Sequence, residues 1–234
     1  EYGFSSHAQI ACAQCHTDVT PNHPERPCAT ITAPVDCGIC HAQAVQEQMT
    51  SRHGELAARG DADAPTCTSC HGDAHATRGH RLPTAPTYAR NVPQLCGRCH
   101  AAGKVAAERL GDTRDIVETY LDSAHGRGLM SSGLVVSASC VDCHTAHRAL
   151  GAEDPGSSVH PDHIADTCGT CHEDLDLIEK YELLVDDPIG IYKNSVHGQA
   201  TQGGVYVAAT CNDCHSSNGT AHRILSPGHP DSSI

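Results

Sequence analysis

The sequence has no tryptophan, one phenylalanine and six tyrosines among 234 residues. Large aromatic side chains normally supply much of the area a core buries, so an ordinary side-chain core is excluded for a chain of this length. Some other flat apolar filler is required. Basic residues are also few: 15 Lys and Arg stand against 28 Asp and Glu, a formal net charge of −13. That balance excludes a nucleic-acid partner, which needs a positive footprint. No apolar run approaches the roughly 18 residues of a membrane span, so no transmembrane segment is expected. Methionine is scarce, with only Met49 and Met130, and Met130 reads as filler.

Cysteine and histidine are abundant instead, at 15 and 19. Seven copies of Cys-x-x-Cys-His run along the chain: Cys12/Cys15/His16, Cys37/Cys40/His41, Cys67/Cys70/His71, Cys96/Cys99/His100, Cys140/Cys143/His144, Cys168/Cys171/His172 and Cys211/Cys214/His215. Chance predicts about 0.08 copies in this composition. The motif reads as covalent haem c attachment. Two cysteines three positions apart share one face of a helical turn, so both sulfurs reach the vinyl groups of one porphyrin, and the following His supplies the proximal iron ligand. A disulfide framework, zinc knuckles and a thioredoxin-like pair each leave the repeated His unexplained. Cys28 is left over, and an inert thiol is its default reading, with an intersubunit disulfide as the lesser one.

After the first site the other six fall into pairs, an internal triplication. In the middle pair, His100 and His125 of Ser123-x-His125-Gly126 are 25 positions apart, and so are His172 and His197 of Ser195-x-His197-Gly198 in the last. The first pair is shorter: 12 positions separate His41 from His53 of Ser51-x-His53-Gly54, and Gln48 stands where the others have Tyr120 and Tyr192. The expected organisation is a leading single-haem segment, 1–36, and three two-haem modules, 37–95, 96–167 and 168–234. These form one continuous haem-packed unit in which each module packs mainly on its neighbours. Periodicity predicts helices over 112–121, capped by Asp112, and over 174–184, in equivalent places. Leu134–Val136 and Val205–Val207 are expected as short strands, with little sheet otherwise.

Twelve histidines remain to supply seven sixth ligands, enough for every haem to be bis-histidine. His53, His125 and His197 lead. The Gly after each would let a helix end in a left-handed turn and free the imidazole, and the Ser two positions earlier would orient the ring. His75, His147 and His222 each follow a second-site motif. His147 lies one turn from His144 and cannot cross the same ring to the other face of that iron. It should therefore ligate a neighbouring haem and force two porphyrins together. His80 is an alternative to His75. The seventh ligand comes from His7 or His163, each five residues before a Cys pair, or from His23 or His160. His229 is expected to be free.

With these motifs from end to end, the sequence resembles the multihaem c-type cytochromes of bacteria and archaea. The resemblance implies a fold of short α-helices and irregular loops wrapped around a haem stack, with very little β, matured outside the cytoplasm and conducting electrons. It also implies a distal-ligand role for the Ser-x-His-Gly histidines. Because haem is attached outside the cytoplasm and Glu1-Tyr2-Gly3-Phe4 lacks a basic start and an apolar stretch, the chain is read as exported, periplasmic or extracellular, with its signal peptide removed. Bis-histidine ligation predicts potentials below those of His/Met cytochromes. Expected partners are redox proteins with basic patches or copies of the chain itself, since some relatives by motif polymerise into extracellular cytochrome filaments and spare histidines would allow ligation across subunits. The expectation is an electron carrier and not an enzyme. The rivals are a multihaem reductase of small nitrogen or sulfur compounds with one open haem, and a cytochrome subunit of a larger redox complex. From the octahaem hydroxylamine- and tetrathionate-type enzymes the sequence departs in having seven sites, no Cys-x-x-Cys-Lys and no substantial extra domain.

Overall fold

The structure, a computed structural model, describes residues 2–17, 33–111, 115–183, 187–216 and 220–234. Its elements are short helices joined by loops, and the sole β feature among the described residues is an isolated bridge between Ser216 and Ile224. Up to the fourth haem motif the helices are α1 (Cys12–Cys15), α2 (Ala42–Met49), α3 (Arg52–Ala58), α4 (Cys67–His71) and α5 (Val92–His100). Then follow α6 (Val105–Leu110), α7 (Ile116–Leu121), α8 (Ala124–Met130) and α9 (Cys140–His144). The last set is α10 (Pro161–His172), α11 (Leu175–Tyr181), α12 (Pro188–Lys193), α13 (Val196–Gln202) and α14 (Cys211–His215). None is long and apolar enough to cross a membrane.

Each haem motif is seated by its own local signal. The second-site motifs form α4, α9 and α14, and each starts in a capping box that satisfies otherwise orphaned amides at both ends of the first turn. Ser139 N–H donates to Asp142 at 2.7 Å, Thr210 N–H to Asp213 at 2.7 Å and Thr66 N–H to Ser69 at 3.0 Å. The residue before the second cysteine is thus a cap as well as a spacer. First-site motifs close longer helices: α5 and α10 both carry Pro in the first turn, where its missing N–H does no harm. Cys37–Ile39 is a 3₁₀ turn capped by Asp36.

The spacers differ from the periodicity reading. The helix expected from Asp112 is α7, which starts at Ile116 and is capped by Asp115 through Val117 and Glu118 N–H; Asp112 lies outside the described residues. The helix expected over 174–184 ends at Tyr181, where Glu182 turns left-handed at φ 50°. Its counterpart in the middle pair is α6, not α7, whose counterpart is α12. A long spacer therefore holds two helices. The two expected strands, Leu134–Val136 and Val205–Val207, lie in turns and are exposed, because no neighbouring backbone offers them a ladder.

The Ser-x-His-Gly segments also behave differently from expectation. They start helices instead of ending them. Ser51, Ser123 and Ser195 are the N-caps of α3, α8 and α13, accepting from Gly54, Gly126 and Gly198 N–H at 3.1, 2.9 and 3.1 Å. Their hydroxyls therefore cap helices and do not orient the histidine rings. Each glycine is required by close approach: a Cβ there would fall inside contact distance of the carbonyl oxygen six residues back, Gln48, Tyr120 or Tyr192. Tyr120 and Tyr192 then tie the preceding helix to the next haem motif, donating to the Ala138 and Ala209 carbonyls at 2.7 and 3.2 Å. Tyr120→Phe should lower stability by about 1 kcal/mol, read from the denaturant midpoint of the haem-loaded protein.

A second recurring bond stitches one pair to the next. The residues after Ser5 and after the N-cap serines Ser51 and Ser123 donate their N–H to the carbonyl two positions beyond a second-site-following histidine: Ser6 to Thr77 at 2.8 Å, Arg52 to Ala149 at 2.9 Å and Ala124 to Ile224 at 2.7 Å. Apolar packing is thin by comparison. The buried apolar side chains among the described residues are Ala85, Val92, Ala107, Leu129, Ala165, Ile189 and Leu225, with no aromatic among them. A set this small cannot hold so long a chain by area burial alone.

Candidate haem-ligand array

Six of the seven motif histidines face a second imidazole. The pairs are His7–His41, His16–His75, His53–His100, His71–His147, His125–His172 and His144–His222, with ring centroids 6.0–6.2 Å apart in every case. Metal–imidazole bonds of about 2.0 Å, with about 1.1 Å from nitrogen to ring centre, place two opposed imidazoles about 6.2 Å apart across one metal. Each pair joins one residue of a Cys-x-x-Cys-His motif to one histidine outside the motifs. The donor set and its spacing fit haem c at these positions: two cysteines for the thioether bonds and two imidazoles for the iron.

The pairs follow two rules. A histidine two positions after Ser5, or after the helix-capping Ser51 or Ser123, faces the first-site histidine of the next pair: His7 faces His41, His53 faces His100, and His125 faces His172. A histidine behind a second-site motif faces the preceding second-site histidine: His75 faces His16, His147 faces His71, and His222 faces His144. The ring planes separate the same two sets. Second-site pairs are near parallel at 19–23°, whereas first-site pairs are crossed at 56–68°.

Outer partners occupy Nδ1 on several of the opposing rings. His7 Nδ1 faces the Ala74 carbonyl at 3.4 Å, His147 Nδ1 faces Glu47 at 3.7 Å, and His75 Nδ1 faces Asp73 at 3.5 Å. That leaves Nε2 for a metal and orients the ring. Burial pushes the pKa values of His53, His71, His100, His125, His144 and His172 below the ordinary value. Neutral imidazole is the ligating form, so burial favours it.

The cysteines show how closely the motifs pack. Within each pair the first cysteines are neighbours: Cys37 lies beside Cys67, Cys140 beside Cys96 and Cys168 beside Cys211. Between pairs it is the second-site Cys that meets the next first site, Cys70 near Cys96 and Cys99, and Cys143 near Cys171. Adjacency therefore runs unbroken from the Cys37 motif to the Cys211 motif. Burial, then the neighbouring sulfurs, pushes the Cys70 thiol up. A thioether at that place carries no proton and loses nothing by burial.

Cys214 sits half-buried in α14 beside His215, in the place expected of the second thioether anchor of the last haem.

Several candidates lie elsewhere. His197 is exposed, and among the described residues it faces no ring, although its motif matches those of His53 and His125. His215 likewise has no facing imidazole among the described residues. His163 Nε2 binds the Pro155 carbonyl at 3.0 Å. His160 is buried, accepts Asp162 N–H at Nδ1 and packs edge-on to Tyr206 at 4.7 Å. The two are 6.1 Å apart, yet neither belongs to a haem motif. His80 is exposed and in no ring pair, and His229 Nδ1 accepts Asp231 N–H at 3.1 Å. Met49 is exposed. His23 and Cys28 lie outside the described residues. The capping boxes Ser139-Cys-Val-Asp142 and Thr210-Cys-Asn-Asp213 were a readable signal for the seats of the second-site motifs that spacing of the histidines alone does not show.

Comparison with known families places a match over part of this region: the model of the family described as "Doubled CXXCH motif" matches residues 53–105. That span runs from the Ser-x-His-Gly histidine of one pair to the first-site motif of the next. No curated protein and no solved structure matches the chain. A doubled motif of this kind, in a fold of short helices and loops almost without strands, indicates a multihaem c-type cytochrome.

Proposed function

We propose that this multihaem c-type cytochrome carries electrons along seven covalently bound haems, with the paired imidazoles above as axial ligands, in an extracytoplasmic respiratory chain. Bound haem c would supply the one-electron iron couple. The protein's own residues do the rest. Fourteen cysteines would anchor the seven groups, six opposed imidazole pairs would hold six of the irons, and the helix caps seat the motifs. The single observation that carries the reading is the recurrence of one imidazole spacing in six pairs, beside motif cysteines that neighbour one another in sequence order from the Cys37 motif to the Cys211 motif. Six irons held between two imidazoles would leave no position there for substrate, which supports a carrier over a reductase. An acidic surface, made more acidic by propionates, favours partners with basic patches, and copies of the chain are a second class of partner.

His215 gives the reductase reading its one foothold, an iron whose sixth ligand is not among the described residues. Mass spectrometry and electron paramagnetic resonance of the oxidised protein test both readings. Seven covalent haems are expected, six of them in two classes of low-spin signal, three parallel and three crossed. Parallel imidazoles lift the near-degeneracy of two iron d orbitals and give a rhombic signal, whereas crossed imidazoles preserve it and give a strongly anisotropic one. Fewer than seven haems, or several high-spin irons that bind carbon monoxide on reduction, would overturn the carrier reading.

A further inference from the structure

The six imidazole pairs repeat one spacing, but the charges beside the rings differ. Two of the opposing rings face a carboxylate at Nδ1, His75 facing Asp73 at 3.5 Å and His147 facing Glu47 at 3.7 Å. These two contacts are built differently. Asp73 is two residues from His75, and the same oxygen also accepts the His75 backbone N–H at 2.7 Å. Both side chains lie open to solvent, 64% for His75 and 69% for Asp73, so water and salt screen that charge. Glu47 instead comes from α2, 100 positions before His147. Its side chain is 37% exposed and that of His147 is 36% exposed, so screening there is weaker.

Helix α2 aims Glu47 through a brace of its own. Gln43, one turn earlier, donates from Nε2 to Glu47 Oε1 at 2.8 Å, which fixes the carboxylate and leaves Oε2 for His147. The helix starts at Ala42, directly after His41, so the same carboxylate also borders the Cys37 motif. Cys40, His41, Gln43, Glu47 and His147 line one cavity there. The ring that opposes His71 thus forms part of the wall of the neighbouring site, with Glu47 beside it. A porphyrin attached at Cys37 and Cys40 would displace water from that cavity, and a charge that loses water acts more strongly on its neighbours.

We infer that Glu47 is a positioning residue for His147 that lowers the reduction potential of the iron held by His71 and His147, and does so more than Asp73 does for the iron of His16 and His75. This rests on the axial reading of the imidazole pairs. Two effects act in the same direction. A carboxylate at Nδ1 makes the imidazole a more basic ligand, and a more basic ligand favours the ferric state. The negative charge also stabilises the more positive of the two oxidation states directly. Both belong to the means by which a protein tunes a haem whose axial ligands are fixed. All six pairs offer the same two imidazoles, so a charge placed like Glu47 is what lets the fold make one iron differ from the next.

The test is a redox titration of the seven-haem protein followed by paramagnetic resonance, in which each parallel-type signal disappears as its iron is reduced. Glu47→Gln keeps an acceptor of the same length for Nδ1–H and removes only the charge. It should leave all three parallel-type irons low-spin and make one of them about tenfold easier to reduce, an upward shift of about 59 mV for one electron. Glu47→Asp, which retains the charge, should shift that iron less. Asp73→Asn should move its own iron by about threefold or less, since solvent screens that contact. A purely structural role for Glu47 would lower the denaturant midpoint and leave every potential in place. Unshifted potentials in Glu47→Gln would overturn the inference, as would a downward shift or a larger response at Asp73. His147→Ala separates the inference from its premise. It should turn one parallel-type iron high-spin, and a variant that keeps all three parallel-type signals would overturn the axial reading itself.

Discussion

Gly126→Ala should destabilise the haem-loaded protein by about 3 kcal/mol, on the scale of overpacking at a site that cannot relax. The added methyl would meet the Tyr120 carbonyl oxygen and the Leu121 backbone. These are backbone atoms of α7, the helix that α8 must approach in order to bring His125 to His172. A flexible neighbour could move aside, but these cannot without unwinding the last turn of α7. The Tyr120 hydroxyl bond to Ala138 would be strained with it, and the seat of the Cys140 motif loosened. Denaturant titration of the variant should give a midpoint well below that of the parent, together with a lower yield of seven-haem protein. Gly133→Ala is the control. Gly133 has φ 71° with nothing within 4 Å of an added Cβ, so its cost is the left-handed backbone alone, about 1 kcal/mol. Equal losses at the two glycines would show that the close helix approach contributes nothing.

His125→Met should change one haem and spare six. Cys168 and Cys171 still attach that haem, so mass spectrometry should find all seven. Thioether ligation in place of imidazole raises the potential, and a shift on the order of 0.1 V is expected within the range of about 0.8 V that axial ligands span. In paramagnetic resonance one of the three crossed-type signals should be lost. The same exchange at His197 should leave the spectrum and the potentials as they were, although the two residues sit in the same four-residue motif 72 positions apart. A response at His197 equal to that at His125 would remove the basis for separating them.

That contrast shows where sequence reading reached its limit. Ser123-x-His125-Gly126 and Ser195-x-His197-Gly198 are indistinguishable in sequence, because the motif encodes a local event: a serine caps a helix and a glycine lets it pass close to the preceding one. Whether the histidine then finds a partner depends on what packs beyond it, and that is a long-range matter. The glycines were legible as special, but a helix-ending turn and a close approach both call for glycine, and only the backbone path separates the two. That His147 would face a ring other than that of His144 was legible from their three-residue separation. Its partner His71, 76 positions earlier, was not. The strand expectation for Leu134–Val136 and Val205–Val207 rested on β-branched composition, which favours a pleated surface only where a neighbouring strand exists to complete it.

The amino-acid sequence alone determined the chemistry of this protein. Seven Cys-x-x-Cys-His motifs point to haem c, since the signal for covalent linkage is written in contiguous residues, and the near absence of aromatic side chains leaves room for such a filler. Tertiary structure decided which imidazoles oppose one another, that first-site pairs are crossed and second-site pairs parallel, and that the ligand register runs from each pair into the next. The imidazole pairing joins residues as far as 78 positions apart, from His144 to His222, and nothing in local propensity or spacing selects one distant histidine over another until the backbone has folded.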